Sequence, residues 1–304
     1  MLTSEAFNRR PTCHSAAPLY LTAQPKESIP MANNLDSLPL ILEPEQLEPL
    51  LGSPGLILVD LCRTENYQAA HLPGAIHIPP GATQYGRPPA PGLLPEESQL
   101  QAIVQHIGLR TDSHVVVYDD EGGGWAGRMI WLLDSIGFQR YSYLNGGLVA
   151  WHDEGRPLTR EEPTVTAGNY DIRLRSESTV TLDQLQTELG DPALGIWDAR
   201  SPQEYQGLRQ AAMRNGHIPG AVNYEWTRAM DPSAGLRLRD LTVIKAELEA
   251  LGLNAEKRIV THCQSHHRSG LTYLLGKALG FNMRAYAGSW GEWGNHPDTP
   301  IDQP

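Results

Sequence analysis

Two copies of one α/β unit, each a mainly parallel sheet flanked by helices, are what this sequence predicts. Three observations carry that expectation. Short apolar runs alternate with amphipathic helical stretches, the pattern of βα units around a parallel sheet. The landmarks of the first half return in the same order in the second. The length of 304 residues is too great for one typical domain, but it suits two of about 130–150 residues each.

Taken in order, Leu56-Ile-Leu-Val-Asp60 is an apolar strand ending in Asp, followed by a turn and, seven residues after the Asp, by Tyr67. Leu194-Gly-Ile-Trp-Asp198 repeats it, with Tyr205 at the same interval. His71-Leu-Pro-Gly-Ala-Ile76 matches His217-Ile-Pro-Gly-Ala-Val222, the second arriving later because eight more residues separate it from its Tyr. His114-Val-Val-Val-Tyr-Asp119 aligns with Arg258-Ile-Val-Thr-His-Cys263, and a helical stretch closing in Gly-Phe follows each, at Gly137-Phe138 and Gly280-Phe281. Both halves end on Gly and Trp, in Asn145-Gly-Gly-Leu-Val-Ala-Trp151 and Ala287-Gly-Ser-Trp-Gly-Glu-Trp293. The polar, proline-bounded stretch 157–164 reads as a linker. The expected boundaries are therefore 38–156 for the first domain, 157–168 for the linker and 169–304 for the second. Residues 1–37 lack periodicity and read as an extension, either disordered or a mis-called start ahead of Met31; a transit peptide is the other reading.

Composition narrows the function. A net charge of −11 with no basic stripe argues against nucleic acid as a partner. No apolar run approaches the roughly 20 residues that span a bilayer. Cys13, Cys62 and Cys263 are odd in number and far apart. They form no disulfide framework and suit a reducing compartment such as the cytoplasm. Two covalently joined domains are consistent with a monomer.

In parallel sheets the active residues collect beyond the C-terminal strand ends. Asp60, Asp119, Asp198 and Cys263 all fall there. Cys263 opens the polar loop Gln264-Ser-His-His-Arg268, which leads into an amphipathic run from Leu271 to Leu279. A thiol beside a helix N-terminus, among backbone N–H groups and close to Arg268, is driven toward the thiolate. A free cysteine is often just a small buried hydrophobe. Yet His262, Gln264, Ser265, His266 and His267 are neighbours no core would choose, so a nucleophile that handles anions is the reading. In the first half Asp119 stands at the matching position, before an acidic loop one residue longer, Asp120-Glu-Gly-Gly-Gly-Trp-Ala-Gly-Arg128. A carboxylate cannot replace a thiolate there and would repel an anion. The first half is thus expected to be non-catalytic, shaping or covering the site.

Taken together, Asp198-Ala-Arg-Ser-Pro-Gln-Glu-Tyr205, Gly216-His-Ile-Pro-Gly-Ala221, the Cys263 loop and the closing Gly-Ser-Trp-Gly-Glu-Trp resemble the rhodanese family. The likeness runs from about residue 38 to residue 300 and has its two-domain form, with the cysteine only in the C-terminal copy. The loop is similar to that of a bacterial type with paired histidines. It departs from the mammalian-type Cys-Arg-Lys-Gly-Val-Thr and from the mercaptopyruvate sulfurtransferase Cys-Gly-Ser-Gly-Val-Thr. The resemblance implies a ping-pong thiosulfate sulfurtransferase. Cys263 takes the outer sulfur of thiosulfate as a persulfide, sulfite leaves, and cyanide, a thiol or a protein accepts the sulfur. Neither a metal nor an organic cofactor is implied. The N–H groups from Gln264 to Arg268 would hold the anionic sulfur, and Arg268 would lower the thiolate pKa and offer donors to the substrate.

Departures and rivals bear on this reading. Glu204 stands beside Tyr205, where the mammalian type carries an arginine, so that anion clamp is weaker or supplied elsewhere. Arg200, Arg237 and Arg239 are candidates for it, or else members of structural ion pairs. Asp198 is expected to act as scaffold, bonding Arg200 or the loop backbone. Trp226 either lines the pocket mouth or simply packs. Cys263 with His266 and His267 superficially suggests zinc, but no second cluster completes four ligands. The histidines, including His262, are expected to be partly charged at neutral pH and to tune the thiolate or orient an acceptor, or else to be merely exposed. A cysteine phosphatase or arsenate reductase would need Cys-x5-Arg to wrap a tetrahedral anion. Here Arg268 gives Cys-x4-Arg, followed by Ser269, a narrower loop that favours sulfur. A non-enzymatic module of this fold would commonly lack the cysteine.

Overall fold

The computed structural model describes residues 35–303. Of the expected extension only the 3-10 turn Leu35–Ser37 falls within them; Cys13, Met31 and the alternatives for that segment lie outside the described residues.

The first half contains β1 (Ile41–Leu42), α1 (Pro44–Leu47), β2 (Leu56–Asp60), α2 (Thr64–Ala69), β3 (Ala75–His77), β4 (Tyr85–Arg87), β5 (Ala90–Leu93), α3 (Glu97–His106), β6 (His114–Tyr118), α4 (Gly124–Ser135), β7 (Tyr141–Leu144) and α5 (Gly147–Asp153). The second contains α6 (Leu182–Glu188), β8 (Leu194–Asp198), α7 (Pro202–Tyr205), β9 (Ala221–Asn223), β10 (Met230–Asp231), β11 (Arg237–Leu238), α8 (Leu241–Ala250), β12 (Arg258–His262), α9 (Arg268–Ala278), β13 (Asn282–Ala285) and α10 (Ser289–Trp293). The main sheets run β1-β7-β6-β2-β3 and β13-β12-β8-β9, every neighbour parallel. With β2, β3, β6 and β7 matched to β8, β9, β12 and β13, the two orders coincide, so the sequence repeat is a structural one. Among the described residues no strand of the second half matches β1; instead Thr179 forms a parallel bridge to Ala285. β4 and β5 form a separate hairpin in the first half.

Parallel strands covered on both faces must be apolar on both, and period-two alternation divides them between cores. In β6, Val115 and Val117 face a cluster shared by the two halves, while Val116 and Tyr118 face a cluster private to the first. In β12, Ile259 faces the shared cluster and Val260 the private core of the second half, with Trp290 and Trp293. The shared core is built around α4 and α9, the equivalent helices of the two copies. They meet backbone to backbone. A Cβ on Gly127 would lie 2.2 Å from the Gly270 carbonyl oxygen, and one on Gly270 would lie 2.3 Å from that of Gly124.

The irregular backbone between the halves runs beyond residue 168 to Val180. Backbone bonds hold it: Gly168 and Tyr170 donate to the Gln105 and Leu109 carbonyls, Arg173 donates to Ile136, and Val180 then donates to Ala285. An extended segment fixed through its main chain leaves little side-chain pattern.

Because neither backbone can retreat without unpacking the shared core, Gly127→Ala and Gly270→Ala should each destabilise the protein by about 1–3 kcal/mol, the usual cost of overpacking. Urea unfolding of each variant against wild type measures this.

Candidate active site

β12 ends at His262, and Cys263 follows at the strand tip, in the turn that leads to α9. The Ser269 hydroxyl donates to its Sγ at 3.4 Å, and the backbone N–H groups of Ser265 and Ser269 point at the same sulfur. Burial pushes the thiol pKa up. The charge of Arg268, the Ser269 hydroxyl and those two N–H groups outweigh burial and bring it down to about 7. Cys62 contrasts with it: burial, with Asp60, Asp120 and Asp119 nearby, pushes its thiol far up.

Two residues with left-handed backbone fold the loop around the sulfur. His266 has φ 54° and Ser289 has φ 55°, conformations unusual for side chains other than Gly. The Ser289 Oγ accepts from the N–H groups of Cys263 (3.3 Å) and His266 (3.1 Å) and donates to the Tyr286 carbonyl (3.0 Å). The N–H of Trp290 then caps the Cys263 carbonyl at 2.9 Å. The first half keeps this frame with Gly147, also at φ 55°, and Leu148 capping the Asp119 carbonyl at 2.9 Å. Sequence reasoning used the Gly147/Ser289 region only as a landmark of the repeat. The glycine-to-serine difference at a matched left-handed position is the signal that could have found Ser289.

The loop side chains are turned toward protein. Gln264 donates to the Ala211 carbonyl at 2.9 Å, which ties the loop to the longer segment before His217. The Ser265 carbonyl takes a bond from Gln84 at 3.4 Å, and a Cβ on Gly92 of β5 would lie 2.3 Å from that oxygen. His266 is fully buried, its Nδ1 is 2.8 Å from the Ser269 Oγ, and its ring meets Trp131 edge-on at 4.5 Å. His267 stacks on Trp125 at 4.2 Å and hydrogen-bonds Glu121. Trp226, half-buried, lies in the same seam with its ring 5.5 Å from that of His267. Cys263 itself is 1% exposed.

Two expectations need correction. The histidines are not uniformly charged or exposed: burial lowers the pKa of both His262 and His266, and they are neutral at neutral pH. Arg268 does not hold its terminal donors free for substrate, since Nη1 and Nη2 form a two-pronged pair with Glu204 at 2.6 and 2.9 Å. Burial pushes the Glu204 carboxyl up, but Arg268 and Ser201 bring it down to about 2, so the pair stays ionic. The Asp119 carboxylate occupies the matching loop of the first half, accepting from the N–H groups of Glu121 (3.1 Å), Gly123 (2.8 Å), Trp125 (3.0 Å) and Ala126 (3.0 Å).

The remaining arginines are committed as well. Arg200 is fully buried, bonds Asp198 through Nε and Nη2 at 2.6–3.0 Å, and gives its Nη2 to the Gly216 carbonyl at 2.8 Å. Asp198 also accepts the Arg200 N–H at 3.0 Å, and its Oδ2 lies 3.6 Å from His262 Nε2. Arg237 pairs with Glu43 and Glu154, and Arg239 with Glu247. His262, His266 and His267 diverge to separate partners. Among the described residues no three His, Cys, Asp or Glu side chains form a metal-binding group.

The duplicated parallel sheets and the strand-tip cysteine define a rhodanese, and the chain belongs to that family: the model for the rhodanese-like domain matches residues 43–154 and again 181–296. The chain is similar to a thiosulfate sulfurtransferase of Azotobacter vinelandii, 58% identical over 88% of this chain and 98% of that one. It is 52% identical to a thiosulfate sulfurtransferase of Pseudomonas aeruginosa over 87% of this chain and 97% of that one. The solved structure of SseA from Escherichia coli shares the fold, with a TM-score of 0.74 and 24% identity over 83% of this chain and 99% of that one.

Alkylation of Cys263, followed by peptide mass, should slow tenfold per pH unit below about 7 and level off above it, as the thiolate titrates. Ser269→Ala removes a donor to the sulfur and should move that midpoint upward.

Proposed function

We propose that the protein is a thiosulfate sulfurtransferase with Cys263 as nucleophile. The observation that carries this is the Cys263 thiol just beyond the tip of β12, receiving the Ser269 hydroxyl at 3.4 Å and the N–H groups of Ser265 and Ser269 in a loop of Cys-x4-Arg spacing. The thiolate attacks the outer sulfur of thiosulfate. A cysteine–sulfur bond forms, the sulfur–sulfur bond of thiosulfate breaks, and sulfite leaves with the bonding pair. The persulfide keeps one negative charge at its terminal sulfur, where the Ser265 and Ser269 N–H groups and the Ser269 hydroxyl can follow it. Cyanide, a thiol or a protein thiolate then attacks that sulfur and returns Cys263 as thiolate. Sulfur is carried covalently, so the cycle needs no metal or organic cofactor.

In this reading Arg268 holds the loop and biases the thiolate while clamped by Glu204, and Asp198 with Arg200 braces the strand tip beneath. Gln264, Ser265, His266 and His267 shape the cradle through their backbone and their protein contacts. Trp226 belongs to the wall of the site, beside His267. The catalytic unit is the second half, from about residue 178, and the first half completes its surroundings. One chain supplies both sides, consistent with a monomer, and a free thiolate of this kind suits the reducing cytoplasm. The relatives that share more than half of their residues with this chain, both named thiosulfate sulfurtransferases, support the choice of donor.

Intact mass of the purified protein should rise by one sulfur atom after thiosulfate and fall back after cyanide, with thiocyanate formed. Cys263→Ala should show neither change while unfolding at the wild-type temperature. A wild-type protein that gains no sulfur from thiosulfate would remove it as donor.

A further inference from the structure

Arg128 belongs to the half without the cysteine, yet its guanidinium ends against the cysteine loop. α4 carries it inward, and the side chain is 0% exposed. Nε donates to the Thr83 carbonyl and hydroxyl, each at 3.1 Å, and Nη2 to the Thr83 carbonyl at 2.6 Å and the Leu93 carbonyl at 3.2 Å. Nη1 crosses to the second half and donates to the His266 carbonyl at 3.2 Å. Every one of these acceptors is neutral. Among the described residues no carboxylate pairs with Arg128. A buried cation without an anion is among the costliest arrangements a fold can keep.

The other charges around the loop are already balanced. Arg268 is matched by Glu204 and Arg200 by Asp198, and the His267 ring hydrogen-bonds Glu121. Burial keeps His262 and His266 neutral. One positive charge is left over, bonded to the residue three places after Cys263, and the loop generates one negative charge, on the sulfur. We propose that Arg128 is the counter-cation of the Cys263 thiolate and persulfide, a positioning residue lent by the non-catalytic half. This rests on the sulfurtransferase reading of the same loop. Burial pulls the guanidinium down to about 9 while the Cys263 charge pulls it back up, so it remains charged at neutral pH. The first half has Asp119 where the nucleophile would stand, yet balances the charge of the one in the second half.

The test is the pH midpoint of thiolate formation, read from ultraviolet thiolate absorbance with Cys263→Ala as the blank. Arg128→Met should raise the midpoint by about one unit, a tenfold loss of thiolate at a fixed pH below it, with kcat/KM falling alongside. Arg128→Lys keeps the charge and should stay close to wild type in midpoint. Thr83→Asp places a carboxylate beside the guanidinium; it should hold or raise the thermal midpoint while raising the thiolate midpoint, and Thr83→Asn separates the loss of the hydroxyl from the added charge. A folded Arg128→Met with the wild-type midpoint overturns the proposal. Where that variant does not fold, an unmoved midpoint in Thr83→Asp does the same. Wild-type sulfur uptake by intact mass separates this from failure of the sulfurtransferase reading: that reading falls if no persulfide forms, whereas the midpoints report on Arg128 either way.

Discussion

The backbones of α4 and α9 touch where Gly127 meets Gly270, and a Cβ at either position would lie within 2.5 Å of the other helix's backbone. Helices this close share one core, and residues beside the contact reach across it. Arg128 is the next residue after Gly127, and Trp125 and Glu121 lie just before it; their partners, His266 and His267, lie just before Gly270. With larger residues at the crossing the helices would stand further apart, as ridges-into-grooves packing requires. The bonds from the first half to the loop would then lengthen beyond use. The site of the second half is therefore closed by a steric fact about two glycines.

The same strand tip has two fates in this chain. In the first half, Asp119 supplies both the nest and the anion that fills it, four N–H groups closing on one carboxylate. Such a nest has no use for a ligand. In the second half the sulfur collects two N–H groups and one hydroxyl, and because sulfur can bear a further sulfur, the anion in this nest is exchangeable. The frame around each tip is nearly the same, down to a left-handed residue at 147 and 289. Where Gly147 serves without strain, Ser289 accepts an unfavourable backbone and contributes a hydroxyl that holds two loop N–H groups.

How much of this could be read from the sequence follows from how local each feature is. The duplication and the parallel α/β class were legible because each matched strand carries its own apolar run and each copy its own His-x-Pro-Gly turn. Cys263 at a strand tip was legible for the same reason. The partners of the loop side chains were not: Glu204 precedes Arg268 by more than sixty positions, and Glu121 precedes His267 by far more. A histidine in a polar loop carries no mark of whether a tryptophan from another domain will bury it, as Trp131 buries His266. The path of the backbone after residue 168 was hidden likewise, since main-chain bonds to Gln105, Leu109 and Ile136 leave no trace in side-chain pattern.

A protein of net charge −11 has to attract an anion against its own field. The arginines around the site are mostly paired and do not form a free positive patch. Arg268 and Arg200 are each matched by a carboxylate within 3.0 Å, so together they add little net charge beyond the immediate loop. Beyond Arg268, whose charge lowers the thiol pKa most, the sulfur has the fixed dipole of the backbone amides and, in the proposal above, the charge of Arg128. Both are buried, where weak screening makes short-range attraction strong. Matched pairs also keep the loop rigid when the sulfur is uncharged, whereas a surplus of free cations would repel one another between turnovers. In the proposed cycle this balance suits an atom whose charge appears, migrates to a second sulfur and returns, with the half that lacks Cys263 held in contact with the half that carries it.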